Sequence, residues 1–157
     1  MELYLLLFTV FIFISYLSFI TYKYGVLQSI SHSYYAMKDD LFGGMFFTLF
    51  IWCISFPIIV IGDTPLMFFA GAFLAFVGAA TAFKDLKMTK RVHTIGAVGG
   101  IGFAFLSMII DFQLKELIFF MIVISLILYL LKIKNIIWWI EILAFTLIII
   151  GLYSVKV

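Results

Sequence analysis

Charged residues are scarce in this sequence. Asp, Glu, Lys and Arg make up 11% of its 157 residues and hydrophobic residues make up 66%, whereas roughly a quarter of an ordinary soluble domain is charged. Several apolar runs reach the roughly 20 residues that a helix needs to cross a bilayer. The composition excludes a soluble domain and predicts a polytopic membrane protein. The net charge of +2 is too small to indicate a nucleic-acid partner.

Cysteine and histidine are also rare. Cys53 is the only cysteine, so no internal disulfide can form. The sequence has two histidines, His32 and His93, so a metal site in this chain could take at most two histidine ligands from it. The apolar N-terminus lacks the basic region and the small-residue cleavage site of a signal peptide, and we interpret it as the first membrane helix.

Hydropathy and helix-breaking residues predict an all-α fold, a single transmembrane domain over residues 1–157 with six membrane helices. The connectors are short, and short connectors are typical of an up-down bundle with antiparallel neighbours. "GDTP" at 62–65 has the Gly and Pro that end one helix and begin the next. The predicted helices span 3–22, 43–61, 65–83, 93–110, 115–132 and 135–153.

Lysine and arginine divide unevenly between the two ends of the predicted bundle. The first, third and fifth connectors and the helix ends beside them hold eight of the ten, and the two termini with the second and fourth connectors hold Lys115 and Lys156. Because cytoplasmic loops of membrane proteins carry the excess of basic residues, these connectors are predicted to face the cytoplasm and both termini the outside. The expected location is the cytoplasmic (inner) membrane of a bacterium.

Small residues repeat at every fourth position in two consecutive predicted helices. Such spacing makes a smooth strip along which two helix backbones can approach closely. We therefore expect the helices at 65–83 and 93–110 to form a tight hairpin. The small residues are Gly71, Ala75, Ala79, Gly96, Gly100 and Ala104.

Glu141 and His93 are ionisable residues inside predicted membrane helices, where such side chains are costly and often functional. Glu141 lies six residues beyond Asn135, which is about 9 Å along a helix. A basic partner from Lys84, Arg91 or His93 is the expected structural explanation, and a substrate or proton site is the alternative. His93 shares a helix face with Gly96 and Gly100, so its imidazole is predicted to point inward. An inward imidazole can be a hydrogen-bonded structural group, a proton carrier or a metal ligand.

The segment "SISHSYYAMKDD" at 29–40 adds polar residues at the same membrane face. Its apolar positions repeat at helical spacing, which predicts a short amphipathic helix at the membrane surface. Together with the basic third connector, it predicts a cytoplasm-facing pocket. The candidate pocket residues are Ser31, His32, Lys84, Asp85, His93 and Glu141.

A serine and a histidine near one span, an acidic residue after another and a helix that begins "VHTIGA" resemble the CREST group of membrane proteins. That group includes alkaline ceramidases and progestin and adipoQ receptors. The resemblance covers residues 29–40 and 78–100 and matches Ser31, Asp85 and His93. It implies a zinc ion, held mainly by three histidines, that activates water to hydrolyse a lipid amide, with His93 as a metal ligand. The chain departs from the group at its last helix, which has Glu141 in place of a histidine pair.

Three functions therefore stay open. We expect no cofactor and a protein that binds a lipid or small amphipathic molecule in the polar pocket, with membrane lipids as its partners. A zinc-dependent intramembrane lipid hydrolase is the alternative that the resemblance implies. A small proton-coupled transporter or channel subunit is a further alternative, because an intramembrane carboxylate and a histidine suit proton transfer. The apolar helix at 115–132 could contact lipid, a partner helix or a second copy of the chain.

Overall fold

The structure of the chain is a computed structural model that describes residues 1–37, 43–82 and 86–156. These residues contain seven α-helices, one 3₁₀ helix and no strand, so the all-α prediction is confirmed for them. The helices are α1 (Glu2–Tyr24), α2 (His32–Ala36), α3 (Gly43–Gly62), α4 (Pro65–Ala79), the 3₁₀ helix (Ala80–Ala82), α5 (Leu86–Ile110), α6 (Lys115–Leu130) and α7 (Ile136–Lys156).

Four of the described helices, α1, α3, α5 and α7, are long and apolar enough to cross a membrane. They correspond to four of the six predicted spans. The other two, α4 and α6, have 15 and 16 residues and are shorter than the roughly 17–25 residues of a typical span. In α4 the shortening has a local cause, because the backbone tightens into the 3₁₀ helix after Ala79.

The helices pack so that α4 lies between α3 and α5, while α7 contacts α1, α3, α5 and α6. The core is made almost entirely of aliphatic and aromatic side chains, among them Ile54, Met67, Met108 and Ile148, which are fully buried. By contrast, α6 buries no residue and packs mainly against α7 and α5.

The small residues of α4 and α5 do not all meet one another. A Cβ added at Gly96 would lie 2.8 Å from the Phe73 carbonyl oxygen, and one at Gly100 would lie 2.6 Å from Leu74, so this face of α5 packs closely on α4. Gly71 instead faces α3, where an added Cβ would lie 2.7 Å from the Ser55 carbonyl oxygen. The Ala75 carbonyl also accepts a hydrogen bond from the Trp52 indole of α3.

The expected single strip of small residues between α4 and α5 is therefore wrong for Gly71, which packs on α3. The reason is that α4 has two packed faces, one with the small residues against α3 and one with Phe73, Leu74 and Val77 against α5. Of the remaining small residues, Ala104 is buried and Ala79 is partly exposed.

The segment 25–37 folds back onto one end of the bundle. Ser31 from this segment, Thr81 from the 3₁₀ helix and His93 from α5 line one cavity, and the Asn135 amide donates to the Val26 carbonyl at 2.7 Å. We call this end, formed by 25–37, 80–82, the start of α5 and the connector before α7, the polar end. At the opposite end, Ser107 bonds both Thr64 and Asp111, at 3.0 and 2.6 Å.

Candidate functional site

Glu141 of α7 binds the backbone of the folded-back segment. Its carboxylate accepts a hydrogen bond from the Ile30 N–H at 2.5 Å, and the Ser31 N–H is a second donor to the same group. Neither amide belongs to α2, since both residues precede its first residue, His32. Glu141 therefore satisfies two amides that no helix pairs, and these amides in turn give the carboxylate hydrogen-bond donors away from bulk water.

Three basic partners were predicted for Glu141, and the structure describes two of them. Arg91 is exposed, and Lys84 lies outside the described residues. His93 shares a cavity with Glu141. Within the described part of the chain, the Glu141 carboxylate bonds backbone amides, because the segment 25–31 reaches inward to it. This inward path could not be predicted, since the residue pattern of the segment indicates a surface helix.

A second set of hydrogen bonds fixes the same segment from α1. The Ser33 hydroxyl donates to the Ile30 carbonyl at 2.5 Å and bonds the Tyr16 hydroxyl at 2.6 Å. Because the single Ser33 proton points to Ile30, the Tyr16 hydroxyl is the donor of the second bond. Ser33 is fully buried and Tyr16 is 3% exposed. Ser33 is thus held by α1, and Ile30, three residues before it, is held by α7.

Ser31, His93 and Glu141 line one small cavity. It encloses about 20 Å³, which is enough for roughly one water molecule. The remainder of its wall is apolar and includes Phe47, Leu74, Val77, Ala97 and Ile101.

A second cavity of similar size adjoins the first at Ser31 and His93. It is lined also by Thr81, Tyr34 and Tyr35, and Tyr35 is exposed at the protein surface. The two cavities together bring hydroxyl groups, an imidazole and a carboxyl group from four parts of the chain to the polar end.

The structure places the six candidate pocket residues in three groups. Ser31, His93 and Glu141 share the first cavity. His32 lies on α2 with its ring 5.8 Å from that of Tyr35 and lines neither of these cavities. Lys84 and Asp85 lie outside the described residues.

A catalytic zinc ion needs three protein ligands as a rule. Within the described ranges no three His, Cys, Asp or Glu side chains lie close enough together to hold a metal ion. The described residues therefore do not fit the zinc site that the CREST resemblance implies, and we derive no step through zinc.

The largest of these cavities lies elsewhere and was not predicted. It is a groove of about 340 Å³ between α1 and α3, and we call it the α1–α3 groove. Tyr16 and Phe50 form its floor, stacked with ring centroids 3.7 Å apart, and both are 3% exposed. The lining residues are Ile12, Ser15, Tyr16, Phe19, Phe46, Leu49, Phe50 and Cys53.

One sequence signal could have indicated the groove. Ser15 and Cys53 are small side chains among large apolar ones in two neighbouring helices, and small residues leave space when their neighbours are aromatic. The hydroxyl of Tyr16 connects this groove to the polar end, since it bonds Ser33.

Helices of this length and hydropathy define the class of the protein as an all-α bundle compatible with an integral membrane protein. No protein-family model matches the chain, and no curated protein or solved structure was found to be similar to it. The site therefore has to be interpreted from its own chemistry.

Proposed function

We propose that this protein is an integral membrane protein that binds the acyl chain of a membrane lipid in the α1–α3 groove. The observation that carries the proposal is the groove itself. Its volume of about 340 Å³ falls within the roughly 300–1,000 Å³ of small-molecule sites, which are mostly apolar with few polar groups. In this groove the polar side-chain groups are two hydroxyls and a thiol.

The position of the groove favours a lipid over a water-soluble ligand. Both of its walls belong to helices long and apolar enough to span a membrane. Its rim residues Phe19, Phe46 and Leu49 are exposed on the outside of the bundle, where hydrocarbon surrounds a membrane protein. An acyl chain in the groove would replace looser bilayer contacts with close packing against the Tyr16 and Phe50 rings.

The polar cavity at Glu141 is too small for this ligand. A space of about 20 Å³ accommodates roughly one water molecule and no lipid headgroup or chain. The lipid site is therefore proposed at the α1–α3 groove, and the cavity predicted from the sequence is a separate site.

We further propose six spans, with both termini outside and the polar end in the cytoplasm. Shorter spans such as α4 and α6 can be accommodated by local bilayer thinning. Lys23, Lys90, Arg91, Lys132 and Lys134 all belong to or flank the polar end. A basic end of this kind is typical of the cytoplasmic side.

Filling the groove tests the lipid proposal. In S15W, an indole occupies the space beside Tyr16, and lipid retained on the purified protein is counted by native mass spectrometry. We expect S15W to retain at least about tenfold less lipid than the unaltered chain, which corresponds to about 1.4 kcal/mol.

S18W is the matched control, because Ser18 is also an exposed serine of α1 but does not line the groove. We expect S18W to keep the lipid. Equal retention by S15W and S18W, or no lipid retained by the unaltered chain, would contradict the proposal.

A further inference from the structure

The polar cavity has no role in acyl-chain binding. It places a carboxyl group, an imidazole and a serine hydroxyl around a space for roughly one water molecule. We propose that Glu141 is a proton-binding site, served by a water molecule in this cavity, and that proton binding loosens the segment 25–33. This inference does not rest on the lipid site.

The first support is the environment of Glu141. A carboxylate within a membrane helix is disfavoured as an ion unless it is paired or hydrogen-bonded. The two N–H groups of Ile30 and Ser31 favour the ionised form, and the Phe47, Leu74 and Phe145 side chains in the cavity wall disfavour it. These effects oppose each other, and the proposal is that Glu141 passes between its two protonation states as the pH changes.

The second support is a route from the protein surface. The outer cavity reaches exposed Tyr35, and it meets the inner one at Ser31 and His93. Protons can reach Glu141 by water through these two spaces, with His93 beside the route as a group able to accept and release a proton. A hydronium ion in the inner cavity gives its proton to a Glu141 oxygen and remains there as water.

The route ends at Glu141. Apart from Ser31, His93 and Glu141, the wall of the inner cavity is apolar and includes Ile101 and Phe145. The arrangement therefore fits a proton-binding site open to one side of the membrane better than a path across it.

Among the residues that line the inner cavity, His93 is the ionisable group besides Glu141. The walls contributed by α3 and α4 are Phe47, Ile51, Leu74 and Val77, which do not titrate. The titratable groups with described side chains on the other elements at the polar end are Lys90, Arg91 and His93 on α5, His32, Tyr34 and Tyr35 on α2, Tyr16, Lys23 and Tyr24 on α1, Tyr129 on α6, and Lys132 and Lys134 before α7.

The consequence of protonation follows from the hydrogen bonds. A neutral carboxyl group is a weaker acceptor than a carboxylate, because charge-assisted hydrogen bonds are roughly twice as strong as neutral ones. The Ile30 and Ser31 amides would then be held less firmly, while the Asn135 bond to Val26 and the Tyr16 bond to Ser33 persist. Protonation therefore loosens the segment without detaching it.

Infrared difference spectroscopy of the protein in lipid bilayers tests proton binding directly. We expect a protonated-carboxyl band that appears as the pH falls, disappears in E141Q and persists in E116Q, whose altered residue is exposed at the opposite end. H93Q retains Glu141 and should shift the midpoint of this band. A band unaffected by E141Q, or a midpoint unaffected by H93Q, would overturn the proposal.

Hydrogen exchange tests the loosening. At one fixed pH at which Glu141 is ionised, we expect the amides of Ile30 and Ser31 to exchange at least about tenfold faster in E141Q than in E116Q, since each loses a charge-assisted bond. Equal exchange in the two variants would overturn the proposed effect on segment 25–33. Both variants keep every basic residue. A general change of topology would alter hydrogen exchange along the whole chain, which distinguishes it from faster exchange confined to segment 25–33.

Discussion

The polar side chains inside this protein mostly bond to backbone groups. Thr48 bonds the Gly44 and Gly78 carbonyls and the Thr81 hydroxyl, at 3.0, 2.9 and 2.7 Å. Ser55 returns its hydroxyl to the Ile51 carbonyl. Among the described side-chain polar atoms that are buried, the Ser125 hydroxyl oxygen has no hydrogen-bond partner. In hydrocarbon, water cannot replace a missing hydrogen bond. Such pairing therefore offsets the free-energy cost of placing polar side chains there.

The substitution Y16F removes the Tyr16 hydroxyl and so measures how much the hydrogen bond between Tyr16 and Ser33 stabilises the protein. In Y16F the ring still stacks on Phe50, but the bond to Ser33 is lost. We expect the free energy of unfolding to fall by about 1 kcal/mol, measured by denaturant unfolding in detergent micelles. Y22F is the control, since Tyr22 is 94% exposed, and it should leave stability unchanged. An equal effect of the two substitutions would argue against a stabilising Tyr16–Ser33 bond.

At the scale of helices, the glycines of α5 divide into packed and unpacked positions. Gly96 and Gly100 lie against α4, whereas a Cβ at Gly102 would meet no atom within 4 Å. Close approach of helix backbones is the reason to keep glycine at the first two positions. At Gly102 no such packing reason exists, so glycine there only lowers helix propensity.

The pair G96A and G102A tests this division. An added methyl at residue 96 meets the Phe73 carbonyl oxygen, so we expect G96A to destabilise the protein by about 1–3 kcal/mol. G102A should be neutral or more stable by up to about 1 kcal/mol. Both values come from thermal unfolding in the same detergent. Comparable losses in both variants would contradict close packing as the role of Gly96.

At the scale of the whole molecule, the polar end brings together parts of the chain that are far apart in sequence. Val26 bonds Asn135 and Ile30 bonds Glu141, across 109 and 111 residues. This arrangement follows if successive helices run in opposite directions, because the first, third and fifth connectors then meet at one end. From this geometry we propose that the chain has six spans and that its polar end faces the cytoplasm.

Single cysteines in a C53S background test the topology. M88C and I133C lie at the polar end and E116C at the opposite one, and each replaces an exposed residue while leaving every lysine and arginine in place. With a membrane-impermeant maleimide on intact cells, we expect only E116C to react before permeabilisation. Labelling of E116C and I133C on the same side would show that α6 does not cross the membrane.

Much of the helical organisation could be predicted from the sequence, and less of the site. Hydropathy predicted α1, α3 and α7 within about three residues at each end, because long apolar runs have few alternatives in a bilayer. It missed the polar first turns of α5, which begins at Leu86 and not at residue 93. The partners of Glu141 could not be predicted, since backbone amides carry no sequence signal. The helix that packs on Gly71 could not be predicted either. Residue spacing identifies the helix face that carries small residues, but not which neighbouring helix packs on that face.

The sequence by itself determined that this chain is helical and apolar, which residues are ionisable within it and which end is basic. These properties depend on composition and local periodicity. The tertiary structure alone decided that segment 25–31 reaches Glu141, that Tyr16 joins the α1–α3 groove to Ser33, and that His93 shares a cavity with Glu141. Each of these contacts depends on helix rotation and loop path, which are set by packing between distant parts of the chain.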